Sequence, residues 1–138
     1  MVNPLYKDIM VAFYSKALSV NAETRPTAVL DSILADDFRS ISGDDVKDRR
    51  TLAAQLEAFW GLIPDLQWRP LDKVVEDDKC VVRSVASGTP KGDFMGLKLD
   101  GSRSFRIDTI DIHTIAKERI VEVHHLEDWA SALRQLRG

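Results

Sequence analysis

The sequence predicts an α+β fold in which helices at the start of the chain pack over an antiparallel sheet. Apolar residues recur at helical spacing in the first half, and short runs rich in Val, Ile and Phe follow Pro64. The chain has 138 residues, of which 44% are hydrophobic, enough to fill one core. We therefore expect a single domain over residues 1–138 with its helices covering one face of a curved sheet.

Three segments of the first half have apolar residues every three or four positions, the pattern of helices with one buried face. They span residues 5–17, 28–34 and 48–63. Thr27 is the predicted N-cap of the second helix, and Pro64 ends the third. An extended segment around residues 39–41 separates the second helix from the third.

The second half contains β-rich runs bounded by Asp, Gly and Pro. These runs are Leu66 to Trp68, Val74-Val75, Cys80 to Val85, Phe105 to Ile115 and Ile120 to Leu126. They predict an antiparallel sheet. Trp129, Leu133 and Leu136 then fall on one face of a short amphipathic tail.

Charge and cysteine content limit the kinds of partner. The 19 basic and 22 acidic residues leave a net charge of −3, which does not favour nucleic acid or an anionic membrane. Cys80 has no second cysteine to pair with and fits a reducing cytosol. The start of the chain lacks the pattern of a signal peptide, and no apolar run is long enough to span a bilayer. We expect a cytoplasmic protein with a small, largely apolar partner.

Several short motifs occur in an order typical of one family. They are Ile63-Pro64-Asp65-Leu66, Asp78 to Arg83 ending in Gly88-Thr89, Gly92-Asp93-Phe94-Met95-Gly96, Ile110-Asp111-Ile112-His113, Arg119-Ile120-Val121-Glu122, Asp128, and Leu133 to Leu136. Together they resemble the SnoaL-like polyketide cyclases of the nuclear transport factor 2-like superfamily. The resemblance implies a cystatin-like α+β roll, whose cone-shaped sheet encloses one pocket, and a homodimer through the convex sheet face.

Asp111 is the first candidate for chemistry, because it lies between two isoleucines in a strand, where an unpaired charge would be costly to bury. The resemblance implies that Asp111 faces the pocket and that His125 occupies the position of the cyclases' acid/base carboxylate. An Asp-His pair could fix the imidazole tautomer and move a proton near neutral pH. A three-residue hairpin loop would place His125 opposite Asp111, whereas a two-residue loop would place His124 there. The resemblance favours His125; alternatively, Asp111 binds a buried arginine or backbone amides.

Other residues could bind a ligand. Arg83 lies in an apolar strand and could hold a carbonyl or enolate oxygen, or instead pair with Asp111. His113 is a further candidate from the same strand as Asp111. The predicted pocket walls are Phe38, Phe59, Trp60, Trp68, Phe94 and Met95. A metal cluster of the three histidines and Asp111 is disfavoured, because His124 and His125 point to opposite faces of a strand.

Three functions fit these residues. The first is a cyclase or isomerase that needs no cofactor or metal and abstracts a proton next to a carbonyl of a polyketide-like substrate, with His125 as base. The second is a binding protein that performs no chemistry; Ile41 and Pro90 favour it because they stand where the family often has histidine. The third is an epoxide hydrolase using Asp111 and Arg83, for which a second aspartate is missing.

Overall fold

The computed structural model describes residues 4–138, which form four α-helices, one π-helical segment and eight strands. The helical elements are α1 (Pro4–Val11), the π-helical segment (Ala12–Ala17), α2 (Pro26–Ile33), α3 (Arg49–Leu62) and α4 (Trp129–Arg137). The strands are β1 (Leu34–Ser42), β2 (Asp45–Asp48), β3 (Gln67–Glu76), β4 (Lys79–Gly88), β5 (Lys91–Phe94), β6 (Leu97–Asp100), β7 (Phe105–Ala116) and β8 (Arg119–Glu127). The predicted α+β fold is confirmed.

Six strands form one curved sheet in the order β2-β1-β8-β7-β4-β3, and β5 pairs with β6 in a separate hairpin. All neighbouring strands run antiparallel except β1 and β8, which are parallel. The prediction of a wholly antiparallel sheet is wrong at this pair. Most of the chain lies between β1 and β8, so no tight turn forces them to run in opposite directions.

Alternation along β7 shows which face of the sheet is inside. Every second residue is buried and those between are mostly exposed. The buried set is Phe105, Ile107, Thr109, Asp111, His113 and Ile115. These side chains face the core formed with the helices. The same alternation therefore directs two ionisable residues into the interior.

The first predicted helix changes type along its length. After Val11 the chain continues as the π-helical segment, and the Leu18 N–H donates to the Phe13 carbonyl oxygen at 3.0 Å. The Ser19 hydroxyl donates to the Tyr14 carbonyl oxygen at 2.7 Å and closes the segment. Both Phe13 and Tyr14 are buried. The wider π turn brings these adjacent rings to the interior together.

The other helix ends follow the sequence signals only in part. Pro26 is the first residue of α2. The residue before it, Arg25, is at the N-cap position but makes no side-chain hydrogen bond to the helix. Thr27, the predicted cap, instead donates to a Glu57 carboxylate oxygen at 2.9 Å. The predicted span of α3 is confirmed to within one residue at each end, and the Asp48 side chain caps this helix by accepting from the Thr51 N–H at 2.8 Å.

The β7–β8 hairpin settles the register that the sequence left open. Its loop has two residues, Lys117 and Glu118, both with positive φ. A bulge next to Thr114 shifts the pairing by one residue, so Asp111 lies opposite His125. The predicted partner is confirmed, although the rule that a two-residue loop would select His124 is wrong because it ignored a bulge.

Candidate active site

A cavity of about 310 Å³ lies between the concave sheet face and the helices. Its walls are mainly apolar and include Phe13, Leu18, Leu52, Leu56, Phe59, Trp68, Met95, Val123 and Trp129. Its polar lining consists of Ser40, Ser42, Asp45, Lys47, Gln55, Asp111, His125 and Glu127. This combination of apolar walls and a few convergent polar groups is typical of a small-molecule site.

Asp111 is the most deeply buried carboxyl group of the cavity, with 6% of its surface exposed. The Tyr14 hydroxyl donates to its Oδ2 at 2.6 Å. Burial disfavours the charged form and raises the pKa of Asp111 to about 7, although the hydrogen bond from Tyr14 opposes this shift. Both protonation states are therefore accessible near neutral pH.

His113 lies behind Tyr14 rather than at the cavity wall. Its Nε2 is 2.8 Å from the Tyr14 hydroxyl oxygen, and the Phe13 ring packs edge-on against its imidazole at 5.0 Å. Burial lowers the pKa of His113 to about 3, so the ring is neutral at physiological pH. The predicted direct contact of His113 with a ligand is corrected, because this fully buried side chain does not line the cavity.

His125 faces the cavity from β8, opposite Asp111. Its Nδ1 lies 2.6 Å from Glu127 Oε2, and this hydrogen bond raises the pKa of His125. The carboxylate that orients the imidazole is therefore Glu127, and not Asp111 as the sequence predicted. Residues two apart on a strand share a face, so the His-x-Glu spacing was a signal that the sequence analysis missed.

Two further polar residues come from β2, which the sequence analysis did not predict. Lys47 and Asp45 both line the cavity and form an ion pair with each other. The Lys47 side chain is 19% exposed. Its positive charge lowers the pKa of His125, against the larger effect of the hydrogen bond to Glu127, which raises it. A strand with two aspartates and a lysine in four residues lacks the β-rich composition on which the prediction depended.

The predicted aromatic walls divide into two groups. Phe59, Trp68 and Met95 line the cavity as expected. The remaining three belong to the hydrophobic core and do not line the cavity; they are Phe38, Trp60 and Phe94. Trp129 supplies a wall that the sequence analysis had assigned only to the amphipathic tail.

Arg83 lies on the convex face of the sheet. Its Nε donates to Asp72 Oδ2 at 2.7 Å across the β3–β4 pair, and the residue is exposed. The predicted role of Arg83 in holding a ligand oxygen is corrected, since its side chain leaves the sheet on the face opposite Asp111. The Asp-Arg combination required for epoxide hydrolysis is consequently not assembled.

The three histidines occupy separate environments. His113 is in the core, His125 faces the cavity, and His124 on the convex face hydrogen-bonds Glu122 at 2.7 Å. Within residues 4–138, no three His, Cys, Asp or Glu side chains are grouped so that they could hold a metal ion. The α-helices of this part of the chain include none that is long and apolar enough to cross a membrane.

The comparisons with known proteins agree with this fold. The model of the SnoaL-like polyketide cyclase family matches residues 9–136. No curated protein sequence matches the chain.

Similar solved structures include TsrD from Streptomyces laurentii, with 24% identity and a TM-score of 0.84 over 99% of this chain and 97% of that one. IdmH from Streptomyces antibioticus, described as a candidate polyketide cyclase, has 24% identity and a TM-score of 0.79 over 96% and 98%. A protein from Catenulispora acidiphila with a ketosteroid isomerase-like fold, in complex with trimethylamine, has 16% identity and a TM-score of 0.75 over 94% and 92%. At these identities the likeness concerns the fold.

Proposed function

Because the chain belongs to the SnoaL-like polyketide cyclase family, we propose that it is a cofactor-independent cyclase or isomerase of a small apolar, polyketide-like carbonyl compound. The reaction would begin with removal of a proton from the carbon next to a carbonyl group. One observation carries the proposal: Asp111 and His125 are cross-strand partners that line the same apolar cavity. Cross-strand partners have Cβ atoms roughly 5 Å apart, so both can reach one small substrate.

Asp111 is proposed as the base. A general base is most effective when its pKa lies near the working pH, and burial raises the pKa of Asp111 to about 7. Tyr14 donates to Oδ2, which leaves Oδ1 to accept the proton from substrate carbon. Apolar neighbours such as Phe13 and Val123 exclude water and strengthen charge interactions inside the cavity.

His125 is proposed to stabilise the enolate oxygen. Its Nδ1 is held by Glu127, which leaves Nε2 for the ligand. Glu127 raises the pKa of His125 and so favours the imidazolium form, which can donate a hydrogen bond to developing negative charge. This assignment differs from the sequence-based hypothesis, in which His125 was the base.

The proposed ring closure conserves protons. The Asp111 carboxylate takes a proton from carbon, and the electron pair of the broken C–H bond moves into the enolate. The enolate carbon then attacks a second carbonyl carbon of the same molecule and forms a C–C bond. The resulting alkoxide takes its proton from the Asp111 carboxylic acid, which returns the enzyme to its starting state.

A non-catalytic binding function is the second candidate. Asp111 and His125 each have a hydrogen-bond partner within the protein, as they would in a passive site. Both functions use the same cavity, so binding alone cannot distinguish them.

Deuterium exchange distinguishes the two functions. We expect the protein to accelerate exchange at the two CH₂ groups next to the carbonyl of β-tetralone, a flat apolar ketone, dissolved in D₂O and followed by ¹H NMR. The same protein after heat unfolding is the control. If β-tetralone shifts protein resonances from the cavity while exchange stays at the buffer rate, the binding function is favoured and the proposed enzyme activity is rejected.

We also propose that the protein forms a homodimer through the convex face of its sheet. Cross-strand pairing aligns a row of residues across all six strands of that face. The row is Val74, Val81, Ile112, His124, Ile41 and Val46. Val74, Ile112 and Val46 are 62%, 39% and 54% exposed, and exposed apolar rows of this kind favour association.

Ile112→Glu should convert the proposed dimer into monomers. A two-fold axis would place the new carboxylate in the interface twice, so we expect the dissociation constant to rise at least about 100-fold. Sedimentation equilibrium of both proteins measures this change. Val11→Glu is the matched control, because Val11 is also exposed but lies on α1. A wild-type protein that sediments as a monomer, or an Ile112→Glu protein that remains dimeric, would contradict the proposal.

A further inference from the structure

Three buried side chains form a hydrogen-bonded chain that ends in the cavity. His113 Nε2 is 2.8 Å from the Tyr14 hydroxyl oxygen, and that hydroxyl is 2.6 Å from Asp111 Oδ2. Only Asp111 of the three lines the cavity. The other two therefore act on a ligand only through this carboxyl group.

The number of protons available determines which atom donates in each of these two hydrogen bonds. A tyrosine hydroxyl has one proton, and that of Tyr14 is donated to Asp111. The contact between Tyr14 and His113 is then a hydrogen bond only if His113 carries its proton on Nε2 and donates it. The alternative tautomer would place the proton on Nδ1, a buried atom with no hydrogen-bond partner among the described residues. An unsatisfied buried N–H is more costly than a bare ring nitrogen, so the Nε2–H tautomer is favoured.

We propose that His113 is a positioning residue whose Nε2–H holds the Tyr14 hydroxyl in the orientation that donates to Asp111. The inference extends the proposed function, since Asp111 is the base in that mechanism. His113 itself touches no substrate. Its role is to keep the hydroxyl proton of Tyr14 directed at the carboxylate, because the lone pairs of the hydroxyl oxygen are turned towards Nε2.

The packing around His113 suits this role. Its ring packs edge-on against those of Phe13 and Tyr14, with ring centroids 5.0 Å and 5.8 Å from that of the imidazole. Cys80 lies opposite His113 on β4 and is also buried. The imidazole therefore has little freedom to turn and present its other nitrogen to Tyr14.

Without the His113 donor, the hydrogen bond that holds the Tyr14 hydroxyl in this orientation would be absent. Its hydroxyl could then rotate and accept a proton from the acid form of Asp111. The bond from Tyr14 lowers the pKa of Asp111 against the larger effect of burial. Other ionisable groups near Asp111 are His125 and Glu127, which face it from β8, and Lys47, which lines the same cavity from β2.

The test measures Asp111 itself and needs no substrate. We would follow the side-chain carboxyl ¹³C resonance of Asp111 from acid to alkaline pH in wild type, His113→Phe and His113→Gln. Phenylalanine removes the donor while keeping an aromatic ring against Phe13, and the glutamine amide restores an N–H near the position of Nε2. We expect the pKa of Asp111 to rise by about one unit in His113→Phe and to return towards the wild-type value in His113→Gln.

Two further measurements guard against a variant that fails to fold. Long-range ¹H–¹⁵N NMR of the wild-type protein reports the tautomer directly, and we expect Nε2–H for His113. In a Tyr14→Phe background, which lacks the connecting hydroxyl, His113→Phe should leave the Asp111 titration unchanged. An Nδ1–H tautomer, or an Asp111 titration that is the same in wild type and a folded His113→Phe protein, would overturn the inference. Because no turnover is measured, a missing ketone activity would reject the proposed function without affecting this result.

Discussion

Asp111→Asn should reduce the rate of proton exchange next to the ketone carbonyl by about 100- to 10,000-fold, the range that general-base catalysis contributes. Asparagine matches aspartate in size, and its amide oxygen can still accept the hydrogen bond that the Tyr14 hydroxyl donates to Oδ2 in the wild type. The variant loses the ability to take a proton from carbon. The measurement is the exchange rate of β-tetralone in D₂O at saturating and subsaturating ketone.

Asp108→Asn is the matched control for this experiment. Asp108 lies on the same strand, three residues before Asp111, but it is exposed and does not line the cavity. Its exchange rate should equal that of the wild type. If Asp111→Asn binds β-tetralone and exchanges its protons at the wild-type rate, Asp111 is not the base.

The acidic side of the pH profile provides a second readout. A base with a pKa of about 7 requires the exchange rate to rise as pH increases through neutrality. On the alkaline side, loss of the proton from His125 should lower the rate above the raised pKa of that group. Asp111→Asn should abolish the rise, because the group that titrates there is gone.

Sequence reasoning found the pair of Asp111 and His125 through the family resemblance, and it found most of the elements that hold the pair through local patterns. Asp111 was singled out as a charged residue in an apolar strand, and the resemblance assigned it to the pocket. Alternation alone would place Asp111 on the face opposite Ile110 and Ile112, and both isoleucines are in fact exposed. Helical periodicity identified α3, and β-rich runs bounded by turn residues identified most of the sheet. These features depend on neighbours in the chain, which a sequence displays directly.

The missing parts depend on contacts between distant segments. Tyr14 lies 97 positions from Asp111, and only the widened π turn brings it to the carboxyl group. Lys47 comes from the polar strand β2, which forms because it can pair with the edge of β1. The partner of His125 is the exception, because Glu127 lies two residues along the same strand and the His-x-Glu spacing indicates their shared face. The contacts of Tyr14 and Lys47 leave no such local pattern.

Asp111 and His113 should also have opposite effects on the pH dependence of stability. Burial raises the pKa of Asp111 from 3.8 to about 7, so the folded protein binds more protons than the unfolded chain between these values. Stability contributed by Asp111 therefore falls as pH rises through this window. Burial lowers the pKa of His113 from 6.5 to about 3, so its contribution rises with pH over nearly the same window. In the wild type the two effects largely cancel.

The difference in stability between Asp111→Asn and wild type should isolate the contribution of Asp111, because His113 is present in both proteins. We expect the free energy of unfolding of Asp111→Asn, relative to wild type, to increase by about 3 kcal/mol between about pH 4 and about pH 6.5. Urea denaturation at several pH values, at one protein concentration so that any association is held constant, measures the difference. Carboxyl groups such as Asp48 and Glu57, whose pKa values are lowered in the folded protein, contribute equally to both proteins and cancel.

Asp108→Asn again serves as the control and should follow the wild-type pH dependence, because its carboxyl group is exposed. A constant difference between Asp111→Asn and wild type across this range would mean that Asp111 titrates in the folded protein as it does in the unfolded chain. The carboxyl group would then be ionised throughout the neutral range, and its proposed role as a base matched to neutral pH would fail even if the variant lost activity. Stability and exchange thus test the same pKa by independent routes, one in the absence of any ligand and the other during turnover.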